Sequence, residues 1–457
     1  FTIAQTGGST SVAETGSTDT FTVVLNAQPS SNVVLTVTSS DTGEATVNTP
    51  LTFTSANWNT AQTVTVTGVD DNIIDGTISS TITIAVDDAN SDNNFDPVAN
   101  QTVTATTTDN DVAGFTIAET GGSTSVAETG TTDTFTVVLN AQPNSDVVLA
   151  ITSNDTGETT VTGSLTFTNG NWNTAQTVTV TGVDDNIIDG SVNSTLTVAV
   201  VDAASDDNFD AVANQTVTAT TTDNDVAGFT IAQTGGSTSV AETGTTDTFT
   251  VVLNAQPTSD VVLTMSSGDT GEATVTSLLT FTNANWNTPQ TVTVTGVDEL
   301  FVDGTQTFNI TISIVDISSD DAFDAVADQT VSTTTTDNDV AGFTIAETGG
   351  STSVAETGTT DTFTVVLSGR PTSDVVFTIT SSDTGEATVT SSLTFTSANW
   401  NTPQTVTVTG VDDNIIDGTI SSTITIAVND GSSDNNFDPV ANQTVTATTT
   451  DNDVAGF

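Results

Sequence analysis

The chain runs to 457 residues and sets 57 Asp and Glu against one basic side chain, Arg370, for a formal net charge of −56 at pH 7. It contains no His, Cys, Tyr or Lys, which excludes an imidazole base, a thiolate, a Schiff-base amine and a phenol, together with nitrogen- or sulfur-ligated zinc, copper and haem. One cation cannot neutralise a phosphate backbone, so nucleic acid is excluded as a partner, and without cysteine stability must come from a core or a bound ion. Charged residues make up only 13 % of the chain and mean hydropathy is +0.01, the profile of an acidic, Thr-rich folded protein rather than a polyelectrolyte tail. No apolar run is long enough to span a bilayer and no signal peptide is visible; the sequence reads as beginning inside a longer chain.

Phe1 recurs in the same context as Phe115, Phe229, Phe343 and Phe457, a constant spacing of 114 residues. Trp58, Trp172, Trp286 and Trp400 each sit in Asn-Trp-Asn-Thr. A period this long matches a whole domain rather than a solenoid rung. The expected domains are therefore 1–114, 115–228, 229–342 and 343–456, with Phe457 opening a further copy.

In chain order through the first copy, apolar residues alternate with threonines. Phe21, Val23 and Leu25 are followed by Val33, Leu35 and Val37, then Leu51 and Phe53, then Val64 and Val66. Ile82, Ile84 and Val86 come next, and Val103 and Ala105 close the repeat. Period-two alternation over short runs predicts half-buried strands, and threonine suits the wet face. No segment has helical periodicity. Seven or so short strands per repeat, A to G, predict an all-β chain of four tandem immunoglobulin-like antiparallel sandwiches arranged as an extended rod. Trp58, in the turn before the fifth strand, is expected to cap the core.

With seven strands the chain leaves each sandwich at the pole opposite the one where it came in. The A–B, C–D and E–F turns and the end of G collect at that leaving pole. Glu14 lies in A–B, Asp41 and Glu44 in C–D, Asp70, Asp71 and Asp75 in E–F, and Asp109 and Asp111 after G. The F–G turn, Asp88 to Asp96, falls at the other pole, where it would face the preceding repeat and make both sides of a junction acidic. Two carboxylates about 4 Å apart repel by roughly 4 kcal/mol at an effective dielectric near 20. Several converging ones call for a cation, and Ca2+ takes 6–8 hard oxygen ligands in irregular loops; the plainer alternative is a set of solvated turn acids.

The constellation returns in register. The second copy has Glu128, Asp155, Glu158, Asp184, Asp185, Asp189, Asp223 and Asp225. The third has Glu242, Asp269, Glu272, Asp298, Glu299, Asp303, Asp337 and Asp339. The fourth has Glu356, Asp383, Glu386, Asp412, Asp413, Asp417, Asp451 and Asp453. Asp87, by contrast, becomes Val201 and Asn429 and is left out of the ligand set. Structural Ca2+, several ions per chain near the inter-domain junctions, is the expected cofactor.

Three stretches, Gly-Gly-Ser-Thr-Ser-Val-Ala-Glu-Thr-Gly (7–16), Leu-Thr-Phe-Thr-Ser-Ala-Asn-Trp-Asn-Thr (51–60) and Gln-Thr-Val-Thr-Val-Thr-Gly-Val-Asp-Asp (62–71), resemble the Calx-beta and Calx-beta-like repeats of large bacterial surface proteins. The closing Asp-Asn-Asp also looks cadherin-like. The resemblance covers most of every repeat. It implies an immunoglobulin-like sandwich with calcium at one pole, held by Glu14, Asp70, Asp71 and their copies. One departure stands out: family members often carry Glu-Gly after the Asp pair, where this chain has Asp75-Gly76.

The expected function is structural, a calcium-stiffened stalk of a bacterial extracellular adhesin or surface fibre. Strands of about eight residues rise roughly 26 Å, so four repeats with their turns would extend on the order of 160 Å. Ion loss is expected to loosen the junctions first. The alternative is a cell-surface binding module for a glycan, a partner cell or ice, using exposed Thr faces or the one departing loop, Leu300-Phe301, which reads either as a contact or as an extra core plug. An enzyme would need a paired-carboxylate hydrolase site, and four equivalent sites without a cleft-forming insertion argue against one. Partners are neighbouring repeats of the same chain and, in a fibre, like chains joined by edge strands. The sequons at Asn100, Asn214 and Asn442 would permit glycosylation.

Overall fold

A computed structural model describes residues 1–456; Phe457, read above as the first residue of a further copy, lies outside the described residues. Among the described residues there is no α-helix, only strands and single 3-10 turns. The chain divides into two compact units, residues 1–224 and those from 225 onward, and each unit holds two β-sandwiches of one topology.

The first sandwich has nine strands where seven were expected: β1 (Thr2–Gln5), β2 (Thr10–Ala13), β3 (Thr18–Val24), β4 (Val33–Ser39), β5 (Ala45–Val47), β6 (Leu51–Phe53), β7 (Gln62–Gly68), β8 (Ile78–Val86) and β9 (Gln101–Thr108). One sheet has the order β1-β3-β7-β5, the other β2-β9-β8-β4-β6. The extra strands arise because the first strand breaks and changes sheets. Gly7 and Gly8, at φ 76° and 87°, supply a left-handed step that side chains resist. Past it, β2 runs parallel to β9 instead of following β1 along β3. The stretch between β4 and β7 likewise splits, β5 pairing with β7 and β6 with β4.

The alternation does what its period requires. Phe21, Val23, Leu35, Phe53, Val64, Val66, Ile82 and Ile84 are fully buried between the sheets, each worth roughly 1.5–3 kcal/mol relative to exposure. Trp58 packs half-buried against this core, as expected, and its carbonyl accepts the Leu25 N–H at 3.1 Å. On the outer face, threonines meet across β3 and β7, Thr20 opposite Thr65 and Thr22 opposite Thr63. Each sheet of the first sandwich ends in strands of three or four residues, short edges of the kind that blunt edge-to-edge pairing.

In the turn between β8 and β9, expected as an acidic face, Asp88 and Asp96 are exposed but Asp92 is not. Asp92 points inward and is 4 % exposed. Its Oδ2 accepts from the Ser30 N–H and hydroxyl, both at 2.6 Å, and Oδ1 accepts from the Asn94 N–H and side-chain amide. Hydrogen bonding, led by the Ser30 hydroxyl, holds this carboxyl far below its usual range. The residue staples one turn to another because a carboxylate surrounded by donors is more stable inside than a bare backbone would be. In the third sandwich Asp320 does the same with Thr258, Ser259 and Ala322. Asp320→Ala, which strands those donors, should lower the stability of that sandwich by about 3 kcal/mol in urea unfolding; a change below about 0.5 kcal/mol would contradict the stapling role.

Candidate metal centre

One pole of each sandwich gathers carboxylates from four separate segments. Beyond β2, the Glu14 N–H donates to the Thr108 carbonyl at 3.1 Å, which extends the parallel pairing by one residue and turns the Glu14 side chain inward. Close approach makes this possible: a Cβ on Gly68, at the end of β7, would lie 2.1 Å from the Ala13 carbonyl oxygen. Glu44 precedes β5, and its own carbonyl accepts from the Val69 N–H and the Thr107 hydroxyl. Asp109 follows β9 and accepts the N–H groups of Asp75 and Gly76 on Oδ2 at 3.0 and 2.9 Å, and that of Asp111 on Oδ1 at 2.6 Å.

These anchors bring oxygens together. Glu14, Glu44 and Asp75 each place a carboxylate oxygen within 4.8 Å of the others, and Glu14, Asp109 and Asp111 form a second such set. Glu14 is 1 % and Glu44 6 % exposed. Glu14 Oε2 accepts from the Asn110 N–H at 3.2 Å, but Glu14 Oε1, Glu44 Oε2, Asp75 Oδ1 and Asp111 Oδ2 are buried with no hydrogen-bond partner. Burial, then the charges of Asp75 and Glu14, push the Glu44 carboxyl up to about 7. Burial likewise raises Glu14, Asp75 and Asp111.

The second sandwich repeats both sets, as Glu128, Glu158 and Asp189 and as Glu128, Asp223 and Asp225. In the third, Glu299 replaces the aspartate found elsewhere, and four side chains, Glu242, Glu272, Glu299 and Asp303, meet in one group. The added methylene explains this: Glu299 Oε2 still accepts the Leu300 and Phe301 N–H groups at 3.0 and 2.8 Å, while Oε1 is buried without a partner. In the fourth, Glu356 and Glu386 are buried with Oε1 and Oε2 unpartnered, as is Asp453 Oδ2.

The remaining sequence candidates have local partners. Asp41, Asp155, Asp269 and Asp383 close turns on the N–H of Gly43, Gly157, Gly271 and Gly385. Asp70, Asp184, Asp298 and Asp412 are exposed and accept from the side-chain amides of Asn110, Asn224, Asn338 and Asn452. Asp71, Asp185 and Asp413 accept the N–H of Ile73, Ile187 and Ile415. Asp337 and Asp451 hold the N–H groups of Asp303 and Asp417 as Asp109 holds that of Asp75, and Asp339 and Asp453 donate their N–H to them.

Carboxylates 4.8 Å apart repel by roughly 3 kcal/mol per pair at an effective dielectric near 20. No basic side chain offsets this. Arg370, the chain's one cation, lies with Cζ 4.0 Å over the Phe301 ring and donates Nε to the Ser397 carbonyl. Protons or a bound cation must do so, and an all-oxygen donor set with orphaned inward oxygens fits a hard divalent ion.

The five groups described are each built from one repeat. Within the first unit the junction is made by the loop that Asp71 and Asp75 flank. Ile73 bridges to Gln142, the Gln142 N–H donates to the Asn72 carbonyl, and Ile74 packs against the second repeat's core. The Ile74 carbonyl accepts from the side-chain amides of Asn144 and Asn208 at 2.7 and 3.0 Å. Within the second unit Phe301 and Val302 pair with Arg370 and Pro371, and Val302, 6 % exposed, joins the fourth repeat's core. Leu300-Phe301 is thus a junction contact. Sequence reasoning had Leu300-Phe301 as a contact or an extra core plug but missed that Ile73 and Ile74 act likewise; the signal was a pair of adjacent apolar residues inside an acidic turn in every copy.

No protein-family model matches the chain, and no curated protein matches it either. Among solved structures it is similar to a protocadherin gamma B7 fragment of extracellular cadherin domains 1–4, at 12 % identity and TM-score 0.32, covering 91 % of each chain. It is also similar to domains 4–9 of the surface layer protein SbsC, at 16 % identity and TM-score 0.22, over 94 % of this chain and 61 % of that one. A third is the calcium binding domain CBD12 of CALX1.1, at 14 % identity and TM-score 0.20, over 44 % of this chain and 80 % of that one. The chain is an all-β tandem of four sandwiches resembling cadherin and immunoglobulin-like domains, and the first three each carry an acidic cluster that could hold a metal ion.

Proposed function

We propose that this is a non-enzymatic, calcium-stabilised structural segment of an extracellular surface protein, a stalk of the adhesin or fibre type, built from Calx-beta-like repeats and carried on a bacterial cell surface. The observation that carries the reading is the pair of buried glutamates, Glu14 and Glu44, whose inward oxygens have no partner but other carboxylates. Calcium fits better than magnesium because the donors come from irregular turns, and calcium accepts six to eight such oxygens at uneven geometry. In the bound state Glu14 and Glu44 would be inner ligands with Asp75, and Asp109 and Asp111 would complete the second set. Asp71 would act beside them by holding the Ile73 N–H, which links the ion to the loop that enters the next repeat. Exposed Asn100, Asn214 and Asn442 leave the sequons open to glycosylation in such a setting.

Equilibrium dialysis of the full chain against calcium tests this. Saturable binding that survives excess magnesium is expected, and Glu158→Gln should remove the second repeat's share alone. Chelation should shorten the maximum dimension in small-angle scattering while the β-sheet circular dichroism persists. No saturable binding, or an unchanged maximum dimension on chelation, would overturn the reading.

A further inference from the structure

The turn that follows β6 in the first sandwich recurs in every repeat, and in the second it holds the chain's single Asn-Gly pair, Asn169-Gly170. An asparagine amide ahead of a glycine is open to attack by the glycine's main-chain nitrogen, because no side chain crowds that nitrogen and glycine tolerates the backbone angles that ring closure needs. Both residues are exposed. Among the described residues the Asn169 side-chain amide makes no hydrogen bond; only its main-chain carbonyl does, accepting from Gln142 Nε2 at 3.0 Å. Asn171 beside it is held, its Oδ1 accepting the Thr168 N–H at 2.6 Å. The Gly170 N–H lies outside the sheet ladders and reaches the Thr168 hydroxyl at 3.3 Å.

The rest of the chain supplies the contrasts. Asp75-Gly76, Asp189-Gly190, Asp303-Gly304 and Asp417-Gly418 are of similar sequence, but in each a second aspartate takes the glycine N–H at 2.8 or 2.9 Å. Asp430-Gly431 is exposed, yet a carboxylate is a poorer electrophile than an amide. The closest comparison is Asn283-Ala284 in the third repeat. There the Ala284 N–H donates to Thr282 Oγ1 at 3.3 Å and Asn285 Oδ1 accepts the Thr282 N–H at 2.6 Å, the same bonds as in the second repeat. What differs is a methyl group beside the nitrogen that must attack. The first and fourth repeats carry Ser55-Ala56 and Ser397-Ala398 at this place.

We infer that Asn169 is a site of spontaneous covalent modification, and that its conversion loosens the receiving side of the junction between the first and second repeats. Gly170 gives its main-chain proton to hydroxide and its nitrogen bonds to Asn169 Cγ. The Cγ–Nδ2 bond breaks, and Nδ2 leaves as ammonia with a proton from water, which restores the hydroxide. Water then opens the five-membered imide. Attack at Cγ leaves an ordinary aspartate; attack at the main-chain carbonyl carbon leaves isoaspartate, whose chain runs through Cβ and Cγ and is one atom longer. One water is consumed and one ammonia released, with no change of oxidation state. The carbonyl concerned is the one that holds the Gln142 side chain, and Gln142 gives its N–H to the Asn72 carbonyl and bridges to Ile73. The turn that positions this carbonyl closes from the Asn171 N–H to the Thr168 carbonyl at 3.2 Å. An extra atom between residues 169 and 170 opens that ring, and the new charge adds to an already acidic chain. This inference goes beyond the calcium reading and does not depend on it.

Peptide mass spectrometry of the full chain after storage in warm, mildly alkaline buffer tests it. The peptide holding Asn169 should gain the mass of an amide-to-acid exchange, as aspartate and isoaspartate. It should do so about ten times faster than the peptide holding Asn283, a ratio equal to about 1.4 kcal/mol of barrier. Gly170→Ala, which introduces the residue that the other three repeats carry, should slow conversion to the Asn283 rate. Hydrogen exchange at the Gln142 N–H should be faster in the stored wild-type chain than in a fresh one, and storage should leave it unchanged in Asn169→Ser. Conversion at Asn169 no faster than at Asn283, a Gly170→Ala chain that converts as wild type does, or Gln142 exchange that storage leaves unaltered in the wild type, would overturn the proposal.

Discussion

Saturating calcium should raise the thermal unfolding midpoint of the metal-stripped chain by about 10–20 °C. A ligand at a hundred times its dissociation constant stabilises the native state by about 2.7 kcal/mol per site, and each kcal/mol moves the midpoint of a domain near this size by about 4–8 °C. The gain is large because the cation relieves a repulsion as well as adding bonds: the orphaned oxygens of Glu14, Glu44, Asp75 and Asp111 face one another whether or not an ion is there. Scanning calorimetry with and without calcium reads the shift. Glu128→Gln should remove it from one repeat of four, leaving a low-melting component beside an otherwise shifted transition. A midpoint that calcium does not move would count against the cluster as an ion site.

Without the ion the chain should be most stable in mild acid, below the range of about pH 5 to 8 where most proteins are most stable. Burial foremost, then neighbouring carboxylates, lifts Glu44, Glu158, Glu242 and Glu272 from 4.5 to about 7. The folded form therefore holds protons that the unfolded form has released. This contribution is complete below pH 4.5, fades as pH rises toward 7, and is gone above it. Asp320 and Asp434 work in the opposite sense: burial raises them, but donors led by the Thr258 and Thr372 hydroxyls outweigh it and bring both below 3.8, so their share is lost in stronger acid. Urea midpoints should thus peak near pH 4 to 4.5 and fall toward pH 8, and calcium at pH 8 should restore what was lost. Glu158→Gln flattens the fall in its own repeat, which separates the buried cluster from general charge repulsion. A metal-stripped chain as stable at pH 8 as at 4.5 would refute the argument.

The sheets were legible because burial follows a period of two, and Phe21, Val23, Val64 and Val66 could face only one way. The meeting of Glu14, Glu44, Asp75 and Asp109 was legible too, since turns on one side of a reversing chain share a pole. What stayed hidden depended on local geometry that residue type leaves open. Gly7 and Gly8 could as well have ended a turn as moved a strand between sheets. Asp92 in a turn reads the same whether it faces water or, as here, Ser30 and Asn94. The ligand set read from the turns was broader than the buried one, because exposed Asp41 and Asp70 satisfy themselves on Gly43 and Asn110. The junction loop was obscured by its neighbours: Ile73 and Ile74 lie in an acidic run whose charge drew the reading toward ion bridging between repeats.

The fit of Phe301 and Val302 against Arg370 and Gly369 bears on how such a gene can change. Near-identical tandem copies invite unequal crossover, which deletes or reshuffles them. An exchange that put Gly369 and Arg370 behind an Ile-Ile loop would strip the guanidinium of its aromatic ring and open a gap where a methyl group belongs. The reverse exchange would drive an alanine methyl into Val302. Recombinants that preserve the order of these two copies escape both penalties, so a single arginine guards the sequence in which the third and fourth copies follow one another.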